Sequence, residues 1–241
     1  TPGRMVAVAA GGYNREDMLD CLQSTLGRLK PGAPCPAADT PAFTPGVVRR
    51  KKKFEQVSLE LAVPGIPSGA EDGDLRYALL LFNFIAGGGA SSRLFLRLRE
   101  ELGLAYSVYS THYASKGAGL FTVSAAVSPK QQFRVLGEIR DILAGLAQGI
   151  GEEEFLRARA QIKSSFILGL ETVAARATYV GRNELLEGRS IRETEVLSAL
   201  DQLEPRDIER LAARLLQNAS WALSAAGKVE SKEMYLPFIQ P

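Results

Sequence analysis

The chain has 241 residues, 46% of them hydrophobic and 23% charged, enough apolar material for a large core. Its formal net charge of +2 gives no electrostatic case for nucleic acid. No apolar run reaches the roughly 18 residues that a membrane span needs.

The two cysteines, Cys21 and Cys35, fall on a predicted helix and in a Pro-rich segment. Nothing in the sequence pairs them, and two unpaired thiols suit a reducing compartment. No signal peptide is visible. The first methionine is Met5, so the natural start is expected to be missing. The compartment stays open between cytoplasmic and periplasmic.

Met5 to Ala10 reads as a small-residue strand. Asn14 caps a helix from about Arg15 to Leu29, with Met18, Leu19, Leu22, Leu26 and Leu29 on one face. Lys30 to Gly46 is rich in Pro and Ala and reads as a linker. The basic run Arg49 to Lys53 reads as the solvated start of a strand rather than a phosphate contact. Phe54 to Val63 alternates as a strand, with Val57, Leu59, Leu61 and Val63 on one face. Pro64-Gly65 ends it. Asp72 or Asp74 starts a helix running to Ile85.

Three glycines, Gly87 to Gly89, then free the backbone for a turn. A Gly-rich run can cradle phosphate, but here no P-loop lysine follows and a helix precedes. Ser91 or Ser92 caps the next helix, with Leu94, Phe95, Leu98 and Leu102 at helical spacing. Gly103 stops it, and a strand begins. Strict alternation places Ala105, Ser107 and Tyr109 on one face and Tyr106, Val108 and Ser110 on the other. Arg99, late in the helix, and Tyr106, early in the strand, flank the bend.

That strand turns at Lys116 to Gly119 and returns from Leu120 to Val127 as a hairpin. Ser128 caps a helix with Pro129 at its first position and a buried stripe from Phe133 to Leu146. Glu152 to about Glu187 is a long helical region, with a break expected near Gly169 or Gly181. Ser190 and Glu193 form a capping box for a helix to Leu203. Pro205 opens another helix, and Trp221 to Gly227 is the last strand. Strands flanked by batches of helices argue for an α+β fold, an antiparallel sheet covered by helices. Met5-Val6-Ala7-Val8-Ala9-Ala10-Gly11 also echoes Trp221-Ala222-Leu223-Ser224-Ala225-Ala226-Gly227. At face value, the chain begins where one unit ends and then contains a complete one.

Little catalytic chemistry is legible. The only histidine, His112, lies on a predicted strand. It reads as a sheet residue rather than a ligand. The cysteines supply no metal-ligand spacing. No Ser–His–acid arrangement is visible.

The run Gly87 to Ser110 resembles the second-half signature of the M16 (pitrilysin or insulinase-like) zinc metallopeptidases, especially the shorter processing-peptidase-like members. It has the glycines, Ser92-Arg93-Leu94, the helix with Arg99-Glu100, and Gly103-Leu104-Ala105-Tyr106-Ser107. The likeness extends from about Met5 to Val229, through Ser165-Phe166-Ile167-Leu168-Gly169-Leu170-Glu171 and Arg182-Asn183-Glu184-Leu185.

The resemblance implies a two-layer α+β unit of the M16 metallopeptidase (LuxS/MPP-like) fold. Residues 1–30 would be the remnant of a preceding unit, 31–46 a linker, and 47–241 a complete, inactive C-terminal domain. Such a domain closes a peptide-binding chamber. Arg99 would bind a substrate backbone carbonyl, and Tyr106 would hydrogen-bond near the scissile carbonyl and hold the oxyanion. The family's zinc site uses His-x-x-Glu-His with a further Glu. This chain has no such motif, so no metal ligand or catalytic residue is expected on it. Zinc would belong to a missing N-terminal half or to a partner. Expected partners are peptide substrate and that half, or an M16 partner subunit, in a homo- or heterodimer, with no nucleic acid or membrane. The alternative is a naturally zinc-free M16-like subunit, structural or substrate-capturing, beside a separate zinc-bearing chain.

Overall fold

Hydrophobic residues at alternate positions of one strand must face a common core, and β2 shows this most clearly. Val57, Leu59, Leu61 and Val63 are all buried, while Ser58 and Glu60 between them are exposed. The structure, a computed structural model, describes residues 2–30, 32–33, 40–68, 73–217 and 219–240. Its elements are α1 (Arg15–Thr25), β1 (Gly46–Lys51), β2 (Val57–Pro64), α2 (Gly73–Gly87), α3 (Arg93–Phe95), β3 (Ala105–Ser115) and β4 (Ala118–Val127). There follow α4 (Gln132–Leu146), α5 (Glu152–Gly169), α6 (Val173–Glu187), α7 (Glu193–Gln202), α8 (Pro205–Leu216) and β5 (Ala222–Gly227). The last residues form a 3₁₀ segment, Lys232–Phe238.

The strands make one five-stranded sheet in the order β1-β5-β2-β4-β3. Pairing is antiparallel except for β1 beside β5, which is parallel. Helices cover one face. Phe82 and Leu81 of α2, Leu136, Ile139 and Leu143 of α4, and Ile208 and Leu211 of α8 are buried in the same core as Phe121, Val123 and Leu223 of the sheet. The rings of Phe82 and Phe121 lie 4.9 Å apart. Each fully buried side chain of this size contributes roughly 1.5–3 kcal/mol. The other face is open, with Ser224 of β5, Tyr109 and Tyr113 of β3 and Val48 of β1 exposed there. The α+β architecture, with its single helix-covered sheet, is the one the sequence pattern implies.

Several boundaries differ from expectation. Met5–Ala10 carries no strand, because none of the described strands pairs with it. The basic run Arg49 to Lys51 lies on its own strand, β1, at a sheet edge, where charge discourages further pairing. Strand β2 starts at Val57, and Phe54 is 57% exposed. Ser128 and Pro129 form a turn in which Gln131 N donates to Ser128 O (3.0 Å), so α4 starts at Gln132. The N-cap of α7 is Arg192, whose carbonyl accepts from Glu195 N at 3.0 Å, and no side-chain cap forms. Asp72 and Cys35 lie outside the described residues. Cys21 is exposed and unpaired.

Other signals hold. Asn14 caps α1, its side chain accepting from Glu16 N at 2.8 Å. The long helical region breaks after Gly169, and Thr172 caps α6 by accepting from Ala175 N at 3.1 Å. Pro205 occupies the first turn of α8, where Glu204 and Asp207 make the capping box. No described helix is long and apolar enough to cross a membrane.

Candidate functional site

The bend between α2 and β3 is built from close backbone packing. A Cβ at Gly87 would lie 2.5 Å from Ser110 N and 2.8 Å from Ser110 Oγ, so only glycine lets the end of α2 meet β3. Ser110, buried, places its Oγ 3.0 Å from Asn83 O and 2.9 Å from Asn83 Oδ1, fastening the same two elements. Gly87 of the run therefore serves helix–strand contact. Ser92, not Ser91, caps α3, accepting from Phe95 N at 3.4 Å.

The helix does not continue as α-helix. From Leu96 to Glu101 it widens into a π-helical turn, and Leu102 N donates to Arg97 O at 3.1 Å. Leu104 N then donates to Leu98 O at 2.8 Å across Gly103, whose φ is +60°. Leu94 and Leu98 are fully buried and anchor this turn in the core. Single π turns recur at functional sites because the extra residue re-aims the side chains around it. Arg99 lies inside this one.

Three arginines occur on this short helix, and their partners separate them. Arg93 makes a two-pronged contact with Glu154 on α5 (Nε to Oε1 3.0 Å, Nη2 to Oε2 2.7 Å) and donates to Gly149 O at 2.8 Å. Arg97 donates to Glu101 at 2.9 Å and Glu138 at 3.3 Å. Arg99 approaches only Glu100, at 4.0 Å, while its guanidinium lies 5.1 Å from the Phe95 ring centre. It donates no hydrogen bond among the described residues. Arg99 is thus the exposed guanidinium that retains its donors.

The start of β3 differs from simple alternation. Ala105 pairs with Val127 and Ser107 with Ala126, so Tyr106 is the extra residue of a β-bulge. The bulge shifts the phase of the strand. Ala105 shares the buried face with Val108 and Ser110, not with Ser107 and Tyr109 as alternation requires. Tyr106 is 59% exposed rather than grouped with Val108. Tyr109 and Tyr113 are also exposed, so the bulge, not exposure, distinguishes Tyr106.

His112, on β3, is half-buried in a small cavity that Arg182 of α6 also lines. Burial, and then the Arg182 charge, lower its pKa and favour neutral imidazole. Among the described residues no acid or nucleophile is hydrogen-bonded to it. No group of three or more His, Cys, Asp or Glu is placed to hold a metal ion among the described residues. The donor set therefore does not fit a catalytic zinc site. The Arg93–Glu154 clamp and the two backbone irregularities were not legible in the sequence.

The comparisons decide the family. The family model of the peptidase M16 inactive domain matches residues 1–162. The chain belongs to that family. An uncharacterized zinc protease of Streptomyces coelicolor is 32% identical over 96% of this chain and 52% of its own length. YmxG of Bacillus subtilis, also an uncharacterized zinc protease, is 32% identical over 89% of this chain and 52% of its own length. The crystal structure of a peptidase M16 inactive domain from Pseudomonas fluorescens superposes with a TM-score of 0.79 at 21% identity, over 91% of this chain and 53% of that one. This chain thus spans about half the length of the relatives it matches. In this structure Arg99 lies in the π turn and Tyr106 at the bulge, on either side of Gly103.

Proposed function

We propose that this M16 inactive domain closes the peptide-binding chamber of a zinc metallopeptidase and supplies two donors to the bound peptide. Arg99 donates to a substrate backbone carbonyl. Tyr106 donates near the scissile carbonyl and helps hold the oxyanion. The zinc and the water-activating glutamate come from the N-terminal half of the longer protein, since this chain lacks a fitting donor set. The observation that carries the reading is the contrast among the arginines. Arg93 and Arg97 are bound to carboxylates, whereas Arg99 is exposed and lacks a hydrogen-bonded partner among the described residues. The bulge at Tyr106 supports the same reading, because bulges re-aim a side chain beside active sites.

Adding the zinc-bearing half tests the division of labour. The purified 241-residue chain is expected to bind no stoichiometric zinc and to cleave no peptide. The longer gene product is expected to show chelator-sensitive peptide cleavage. Chelator-sensitive turnover that co-purifies with the short chain alone overturns this division.

A further inference from the structure

An arginine on a helix surface usually meets a carboxylate one turn away, and Arg182 of α6 does not. At three and four residues on either side of it stand Thr178, Tyr179, Leu185 and Leu186, so its own helix offers no acid. Arg176, on the same helix, donates to Leu170 O at 2.8 Å and lies 3.9 Å from Glu193. No hydrogen bond or ion pair ties Arg182 among the described residues. The hairpin opposite it supplies none either. From Ala105 to Val127 the chain has no Asp or Glu, while it carries His112 and Lys116.

Arg182 and His112 line one cavity of about 260 Å³, with Tyr113, Ser115 and Leu120 among the other walls. His112 is half-buried, and burial and then the Arg182 charge keep its imidazole neutral. The cavity therefore holds a guanidinium without a counter-charge and an imidazole that becomes a second donor when protonated. A bound anion satisfies the first and favours the protonation of the second. The volume lies just below the roughly 300–1,000 Å³ of sites for drug-sized ligands, so it suits one anionic group and one side chain rather than a cofactor. Leu120 and the ring of Tyr113 make part of the wall apolar. The cavity adjoins β3, an edge strand of the sheet, and Arg182 is exposed, so the site is reached from solvent.

We infer that the cavity between β3 and α6 is a carboxylate site that takes the free C-terminal residue of a peptide. Arg182 and His112 hold the carboxylate, and Leu120 and the Tyr113 ring contact the last side chain. The choice of a peptide as the source rests on the chamber reading, whereas the affinity for a carboxylate does not. None of these residues belongs to the Arg99–Tyr106 bend.

His112 is the only histidine of the chain, so its imidazole gives a single NMR reporter inside the site. N-acetylated tetra-alanyl-leucine, with either a free or an amidated C-terminus, is titrated into the 241-residue chain. The free acid should move the His112 signal at about 10-fold lower concentration or less than the amide, since a charge-assisted contact is lost on amidation. It should also raise the pH at which His112 titrates. The Arg182→Gln variant, with folding checked by circular dichroism, should lose the preference for the free acid. Equal binding of acid and amide overturns the carboxylate site, and so does an undiminished preference in folded Arg182→Gln. Acetate or inorganic phosphate acting at the same concentration as the peptide assigns the cavity to small free anions and overturns the peptide terminus as its ligand. Failure of the chamber reading shows separately, as full turnover by the longer protein without Arg99 and Tyr106, and leaves these binding results as they stand.

Discussion

Arg93, Arg97 and Arg99 share one short helix, yet only the first is tied by two parallel hydrogen bonds to a partner on a distant element. That pair, with side chains 26% and 22% exposed, fixes the start of the helix against α5. Glu154→Gln is expected to destabilise the fold by about 1–3 kcal/mol, the usual range for a charge-assisted contact in partial shelter. Arg97→Gln should cost less than about 1 kcal/mol, since its contacts are more exposed. Urea unfolding of both variants checks the order. Gly103 is subject to a backbone constraint instead. At φ +60° a side chain is strained, so Gly103→Ala is expected to cost about 1–2 kcal/mol although no atom crowds the site.

His112 carries a pH signature at the same scale. Its pKa is lowered in the fold by burial and by Arg182. The unfolded chain therefore binds the proton more readily than the folded one, and stability rises with pH between the two values. The contribution is fully present above the ordinary imidazole value of 6.5. It is lost progressively as pH falls through that value towards the lower folded one. The His112→Gln variant should show a flatter dependence of unfolding free energy on pH below this point. An unchanged slope in the variant contradicts the assignment.

Elements were legible where a local pattern decides them. The alternation of Val57, Leu59, Leu61 and Val63, the Asn14 cap and the first-turn Pro205 each act within a few residues of themselves. Elements were misplaced where a distant partner decides. Arg49 to Lys51 becomes a strand because β5, far along the chain, lies beside it. Met5–Ala10 has strand-like composition but no described strand pairs with it. The candidate site divides in the same way. Its residues were accessible through the motif, but the π turn around Arg99 and the bulge at Tyr106 arise when a helix anchored by Leu94 and Leu98 must join a strand registered on β4. Nothing in the alternating sequence signals the extra residue. The break between α5 and α6 was expected near Gly169 or Gly181, but the Thr172 cap beside it was not read from the sequence. Thr172→Ala is expected to cost about 1 kcal/mol through loss of the bond to Ala175 N, measurable by thermal unfolding.

At the scale of the whole molecule, the five-stranded sheet unit is preceded by a segment, residues 2–30, that holds α1 but no strand and leaves Met5, Leu19, Leu26 and Leu29 exposed. The core lies between the sheet and α2, α4 and α8, and Phe121→Ala at its centre should cost about 3–5 kcal/mol. Limited proteolysis of the chain should cut first between α1 and β1 and leave the unit from β1 onward intact, because the core lies wholly on that side. Early cleavage within β2 to β5 contradicts that boundary. The most direct measurement of the central reading is peptide turnover by the longer protein carrying Tyr106→Phe. That change removes one hydrogen-bond donor and keeps the ring. Turnover should fall by about 100- to 1,000-fold, the usual cost of a lost oxyanion donor, with zinc content and folding unchanged. Full turnover in a folded, zinc-loaded Arg99→Ala, Tyr106→Phe double variant would contradict it and leave the bend as a structural joint alone.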